Sequence, residues 1–63
     1  MQEMSPLIQR SFSHVSASQA GIIPTELAKL EKISEKEATW VLNRLTSVYA
    51  VVELGEDGRY KKK

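Results

Sequence analysis

The chain has 63 residues, no cysteine and a formal net charge of +1 at pH 7. A chain of this length has room for one small domain, residues 1–63, and the lack of cysteine excludes disulfides and thiolate zinc sites. No apolar run approaches the roughly 18 residues of a membrane span, and residues 1–10 lack the apolar run of a secretory signal. We therefore expect a cytoplasmic protein that makes no membrane contact.

Residue types that carry catalytic chemistry are sparse. The chain has one histidine, His14, and scattered carboxylates, with neither a glycine-rich phosphate loop nor a recognisable acid–base pair. So short a chain also has little material for a deep pocket. We expect that the protein is not an enzyme and has no catalytic residue, metal or cofactor, and we interpret His14 as a partly exposed surface residue.

The first helix is predicted over residues 6–17. Residues 1–4 are expected to be frayed, Ser5 is a typical N-cap, and Pro6 suits the first helical position because its missing N–H costs nothing there. The helix is rich in serine, which has modest helix propensity, so it should depend on packing. Its expected core face carries Ile8, Phe12 and Val15, with Leu7 and Ser11 beside them.

A loop of small and polar residues, 16–21, follows the first helix and ends in glycine. Residues 22–23 are β-branched and precede a proline, which favours an extended backbone and a very short strand. The second helix is predicted over residues 24–31. Its N-cap is either Ile23 or, for a slightly later start, Thr25.

The third helix is predicted over residues 35–48, after a turn at 32–33. Ser34 and Glu37 have the Ser-x-x-Glu spacing of a capping box, in which each side chain accepts a hydrogen bond from a backbone N–H that the helix leaves free. The apolar residues that follow have the i, i+3, i+4, i+7 spacing of a buried helical face. They are Ala38, Val41, Leu42 and Leu45.

A β-hairpin is predicted over residues 51–61. Residues 51–54 favour a strand, residues 55–58 contain Asp-Gly, a strong hairpin-turn signal, and residues 59–61 form the returning strand. The predicted fold class is therefore mainly α with a small β-hairpin (α+β). Its elements follow the order helix, short strand, helix, helix, strand, strand.

This order of elements resembles the winged helix-turn-helix fold of prokaryotic transcription regulators, and is most similar to regulators of the multiple-antibiotic-resistance type. The resemblance covers about residues 22–61. The segments that carry it are Glu26-Leu27-Ala28 at the start of the second helix, Ile33-Ser34 before the third, and Val41-Leu42-Asn43-Arg44-Leu45 within the third. The chain departs from the family at Lys32, where glycine is common, and we expect none of the additional dimerisation helices of the larger members within residues 1–63.

The resemblance implies a DNA-binding protein that is a small transcription regulator and a possible homodimer. In this family the third helix enters the major groove, while the hairpin, or wing, touches the backbone. At about 100° per residue, the helix face opposite the apolar positions is the one that meets double-stranded DNA. It contains Lys36, Thr39, Trp40, Asn43, Arg44 and Ser47. By residue type, Asn43 suits adenine and Arg44 suits guanine or phosphate. The hydroxyls of Thr39 and Ser47 suit phosphates.

Basic residues at the end of the hairpin also suit DNA, because each neutralised phosphate releases counterions. They are Arg59, Lys61, Lys62 and Lys63, with Tyr60 among them. The alternative is a solvated, solubilising tail. Two acidic pairs oppose DNA binding, namely Glu56 and Asp57 at the turn and Glu35 and Glu37 beside Lys36. We interpret the second pair instead as helix-capping residues in a favourable position at a helix N-terminus.

Trp40 has three interpretations. It packs back over the second helix or the hairpin and completes a small core, it anchors a protein interface, or it contacts thymine methyl groups or sugars. The last two interpretations make it functional. Trp40 and the near-neutral charge also support a second hypothesis, a winged-helix module that binds a protein partner within a larger replication or transcription assembly.

Overall fold

The computed structural model describes residues 4–63. Three helices precede two antiparallel strands, so the predicted class, mainly helical with a small β-hairpin, is confirmed. The elements are α1 (Pro6–Ala17), α2 (Pro24–Glu31), α3 (Glu35–Ser47), β1 (Val52–Leu54) and β2 (Tyr60–Lys62). Within the described residues, no helix is both long and apolar enough to cross a membrane.

The observed bounds agree with the predicted ones for α1 and α2 and differ by one residue elsewhere. α3 ends at Ser47, with Val48 as its C-cap, so the predicted end at residue 48 is one residue late. β1 begins at Val52 and β2 at Tyr60, each one residue later than predicted. These shifts are within the usual uncertainty of element ends.

The N-terminal end of α1 is fixed by the predicted cap. Ser5 Oγ accepts a hydrogen bond from the Ile8 N–H (3.3 Å), and Pro6 is the first helical residue. Residues 1–3, where fraying is expected, lie outside the described part of the chain. Met4 lies inside it and packs against the core, so the expectation of fraying is wrong for that residue.

The buried face of α1 differs from the predicted one at one position. Ile8 and Val15 are buried, as predicted, but Ser11 between them is fully buried while Phe12 is only partly so. Ile8, Ser11 and Val15 form an i, i+3, i+7 stripe, which leaves Phe12 at the edge of the core. Ser11 tolerates burial because its hydroxyl donates to the carbonyl oxygen of Leu7 (2.8 Å).

The turn between α2 and α3 requires one left-handed residue, and each of the two helices has an identifiable N-cap. Lys32 adopts the left-handed conformation (φ 55°, ψ 46°), which glycine adopts most easily. It lies at the position where glycine is common in the family that the sequence resembles. Ile23, rather than Thr25, is the N-cap of α2, and its N–H donates to Glu26 Oε1 (3.1 Å). Ser34 caps α3 by accepting from the Glu37 N–H (3.1 Å), which confirms that half of the capping box.

The core lies where the three helices meet the hairpin. All four apolar positions predicted for α3 are buried, which confirms its inward face. Leu27 of α2, Val52 of β1 and Tyr60 of β2 close the core from the other sides. The side chains without exposed surface include Val15, Leu27, Val41, Leu42, Leu45 and Val52. This packing fixes the face of α3 that remains turned to solvent.

The hairpin pairs Val52 with Lys62 and Leu54 with Tyr60. Its turn is closed by hydrogen bonds from the Gly55 N–H to the Arg59 carbonyl oxygen (2.8 Å) and from the Gly58 N–H to the Gly55 carbonyl oxygen (3.1 Å). The predicted turn at residues 55–58 is thus confirmed.

The short strand predicted at residues 22–23 is a single bridge. Ile22 pairs with Tyr60 through two backbone hydrogen bonds, from the Ile22 N–H (3.0 Å) and from the Tyr60 N–H (2.8 Å). β2 therefore lies between β1 and the segment that precedes α2. This bridge ties the hairpin to the helical part of the fold.

We expect Gly21→Ala to lower the free energy of unfolding by about 2 kcal/mol. Gly21 has a φ of 85°, and a Cβ at this position would lie 2.9 Å from the Tyr60 carbonyl oxygen. Gly58→Ala is the matched control, because Gly58 has a φ of 80° but nothing within 4 Å of the added Cβ. Urea unfolding followed by circular dichroism should show the larger loss at Gly21. Equal losses would contradict the importance of the close approach.

Candidate functional site

The solvent-facing side of α3 carries the side chains that the sequence assigned to DNA. Lys36, Trp40, Asn43 and Ser47 are exposed and recur at i, i+4, i+7 and i+11, which places them in one stripe along the helix. Thr39 and Arg44 flank this stripe and are partly buried. We call these six residues the outer face of α3.

Trp40 and Arg44 form the most distinctive feature of the outer face. The indole of Trp40 is 53% exposed, and the Arg44 guanidinium lies 5.2 Å from its ring centroid, in cation–π geometry. Arg44 Nε is buried and has no hydrogen-bond partner among the described residues. The interpretation in which Trp40 completes a small core is wrong, since its ring is half exposed, lies outside the core and contacts Arg44 of its own helix.

The two hydroxyls of the outer face are already engaged. Thr39 Oγ1 donates to the Glu35 carbonyl oxygen (2.9 Å), and Ser47 Oγ donates to the Asn43 carbonyl oxygen (2.8 Å). A phosphate accepts hydrogen bonds and donates none in its fully ionised form. In this conformation, neither hydroxyl offers its proton to a phosphate, so the predicted phosphate contacts require both side chains to rotate.

Asn43 is the point where the outer face meets the hairpin. The Tyr60 hydroxyl donates to Asn43 Oδ1 (3.3 Å), although the two residues are 17 positions apart in the chain. Tyr60 is only 8% exposed, so its ring belongs to the core while its hydroxyl reaches the edge of the outer face. Sequence spacing contains no signal for this contact.

The basic residues of the hairpin divide into engaged and free groups. Arg59 Nη1 donates to the Gly21 carbonyl oxygen (3.0 Å) and to Glu26 Oε1 (3.1 Å), which commits this side chain to the fold. Lys61 Nζ lies 3.3 Å from Asp57 Oδ2. The exposed residues Lys62 and Lys63 form no ion pair with any described residue. Of the four basic residues that the hairpin was predicted to offer to DNA, these last two are the available ones.

The acidic residues near the site have structural roles. The Thr25 hydroxyl donates to Glu35 Oε1, which links the first turn of α2 to the first turn of α3. Asp57 Oδ1 accepts from the Arg59 N–H (3.1 Å), and this bond, together with the Lys61 ammonium, lowers the pKa of the Asp57 carboxyl. The hairpin turn therefore keeps its negative charge, which disfavours its insertion into a groove lined by phosphates.

A charged cluster between α1 and α2 was not anticipated from the sequence. Glu31 accepts hydrogen bonds from Arg10 Nε (2.9 Å) and His14 Nε2 (2.8 Å), and its side chain is only 7% exposed. These bonds, that of Arg10 first, lower the pKa of the Glu31 carboxyl. His14 is partly exposed, as interpreted, but it binds Glu31 and stabilises the contact between the helices.

Glu31→Gln is expected to lower the free energy of unfolding by about 1 kcal/mol near neutral pH. The pKa of Glu31 is lower in the folded state than in the unfolded state. Its contribution is therefore present above the unfolded-state pKa and disappears as the pH falls through the folded-state pKa. In urea unfolding, the difference between variant and wild type should shrink in acid, whereas Glu56→Gln in the exposed turn should change little at any pH. A cost that is equal at neutral and acid pH would contradict this role.

An open groove of about 790 Å³ lies between the end of α1 and α2. Its apolar lining includes Ala17, Ala20 and Leu30, and its charged lining includes Lys29. None of its lining residues belongs to the outer face of α3. Lys29 and Leu30 therefore offer control positions that lie away from the candidate site.

The described residues contain no group of three histidine, aspartate or glutamate side chains that could hold a metal ion. Comparison of the chain with models of known protein families, with curated proteins and with solved structures gave no significant match.

Proposed function

We propose that this chain is a winged helix-turn-helix domain that binds double-stranded DNA, with α3 in the major groove and the hairpin as a wing beside the phosphate backbone. In this proposal it is a small cytoplasmic transcription regulator. The observation that carries the proposal is the outer face of α3, a stripe of polar and aromatic side chains on a helix whose opposite side is buried.

The arrangement of the elements supports this proposal. α3 packs against α2 across a tight turn, and the hairpin follows α3 and is tied by Ile22 to the segment before α2. The major groove of B-form DNA is about 12 Å wide and admits one α-helix. The exposure of Lys36, Trp40, Asn43 and Ser47 leaves this side of α3 room to enter it.

The distribution of free positive charge supports backbone contacts at both ends of the surface. Lys36 lies in the first turns of α3, and Lys62 and Lys63 lie at the end of the hairpin. Together with Arg44, they provide four candidate phosphate contacts. Binding should therefore weaken with salt, with a slope of log K against log salt of about −3 to −4.

Fluorescence anisotropy with a labelled random-sequence duplex tests this proposal. Replacing both Lys62 and Lys63 by Gln should make the salt slope shallower by about 2, because two phosphate contacts are lost. Lys29→Gln removes one charge from the groove between α1 and α2 and should leave the slope close to that of the wild type. No binding at low salt, or an unchanged slope in the double variant, would contradict the proposal.

The exposure of Trp40 favours a second candidate function, a module that binds a protein partner. Tryptophan and arginine are the residues most often found at energetic centres of protein interfaces, and here they are stacked on one exposed surface. In that case Trp40→Ala should abolish recovery of a protein partner in a pull-down. The same substitution would leave the affinity for duplex DNA unchanged.

A further inference from the structure

We propose that Tyr60 is a positioning residue that makes Asn43 a hydrogen-bond donor toward DNA, so that the protein prefers guanine to adenine at the base that Asn43 meets. This inference rests on the proposed DNA-binding function and goes beyond it by assigning a base preference. It also replaces the assignment of Asn43 to adenine that its residue type alone suggested.

The position of the Tyr60 hydroxyl is fixed by the ring and the backbone that carry it. The ring is almost fully buried, with 8% exposure, and the residue is held by two backbone hydrogen bonds to Ile22 and by its pairing with Leu54. From this position the hydroxyl donates to Asn43 Oδ1 (3.3 Å). The donor cannot follow Asn43 outward, so this bond is kept only while Oδ1 points toward the hairpin.

The two ends of the Asn43 side chain then have different roles. A carboxamide oxygen accepts hydrogen bonds and its NH₂ group donates two. Bidentate recognition of adenine requires both ends to face the same base, because adenine presents the N7 acceptor and the N6 donor. With Oδ1 engaged by Tyr60, a bidentate contact with adenine loses its acceptor, and the NH₂ group remains as the donor.

Three of the other side chains on the outer face have the same donor character, whereas the hydroxyls of Thr39 and Ser47 donate to the backbone and can accept. Lys36 and Arg44 donate only, and the indole N–H of Trp40 also donates only. Guanine presents two acceptors, N7 and O6, in the major groove, whereas adenine presents one acceptor and one donor. A donating Asn43 NH₂ group can bind N7 or O6 of guanine but only N7 of adenine, because the N6 amino group of adenine replaces the O6 acceptor with a donor.

Selection of binding sites from a randomised duplex library tests the inference. The wild type should enrich guanine over adenine by about tenfold at one position. Tyr60→Phe keeps the buried ring but removes the donor, so that Asn43 is free to rotate and the preference should shrink or shift to adenine. Asn43→Ala should remove discrimination at that position, and Lys29→Gln should keep the wild-type profile.

The outcomes separate the inference from the proposed function. Absence of any enrichment or salt-dependent binding by the wild type would reject DNA binding itself. Enrichment with an identical profile in Tyr60→Phe, or wild-type selection of adenine, would overturn the role of Tyr60 alone. A DNA-free readout is the side-chain NH₂ resonances of Asn43, which should move in Tyr60→Phe while backbone resonances far from residue 60 stay in place. Unmoved NH₂ resonances would also overturn it.

Discussion

Leu42→Ala is expected to lower the free energy of unfolding by about 3 kcal/mol. Leu42 has no exposed surface and lies on the inward face of α3, where that helix packs against the rest of the core. The substitution removes buried methyl groups and leaves a cavity that the surrounding side chains fill only in part. A domain of 63 residues is expected to have only a few kcal/mol of stability. The variant should therefore be largely unfolded without stabilising solutes.

Leu30→Ala is the matched control for this prediction. It makes the same chemical change on α2, but Leu30 is 56% exposed, so its cost should be about 0.5 kcal/mol or less. Both variants can be followed by circular dichroism and by the fluorescence of Trp40 during urea unfolding. Similar losses for the two variants would contradict the assignment of the inward face of α3.

Arg44→Ala is expected to weaken duplex binding by about tenfold or more, which corresponds to about 1.4 kcal/mol. The guanidinium is held against the Trp40 ring at 5.2 Å, so its orientation toward a ligand is partly fixed before binding. Trp40→Ala should weaken binding as well, by loss of its own contacts and of that orientation. Fluorescence anisotropy at constant salt measures each effect.

The stacking of Arg44 on Trp40 predicts that the effects of the two substitutions are not additive. Because each side chain positions the other, the double variant should lose less affinity than the product of the two single losses. Lys29→Ala, which removes a positive charge from the other side of α2, should change the affinity little. Wild-type affinity in Arg44→Ala would contradict the involvement of the outer face, and unchanged DNA affinity in Trp40→Ala would favour the protein-binding alternative.

Local sequence signals were sufficient for most of the fold. Ser5, Pro24 and Ser34 mark the beginnings of the three helices because capping and proline preferences act within a few residues. The inward face of α3 follows from helical periodicity alone. The Asp-Gly signal correctly placed the hairpin turn, since turn preferences are also local.

Long-range contacts could not be predicted in this way. Arg59 was assigned to DNA, but it binds Glu26, which lies 33 positions away in the chain. Likewise, the choice of Ser11 rather than Phe12 for the centre of the core depends on how closely α1 approaches its neighbours. Periodicity specifies which face is buried, whereas the partners across that face depend on tertiary packing.

The sequence predicted which residues form the outer face but not the contacts that their side chains make. The helical angle placed its six side chains, yet the stacking of Arg44 on Trp40 and the bond from Tyr60 to Asn43 required coordinates. These two contacts decide which groups are oriented for a ligand. The assignment of Asn43 to adenine used residue type alone, whereas the proposed preference for guanine uses its contact with Tyr60.

An NMR titration of the labelled protein with duplex DNA at low salt tests the central claim, that the outer face of α3 is the recognition surface. We expect the largest shifts at Lys36, Trp40, Asn43 and Arg44, with smaller ones at residues 62–63 and little change along α1. Shifts concentrated around the groove between α1 and α2, or no shifts at all at low salt, would contradict the claim.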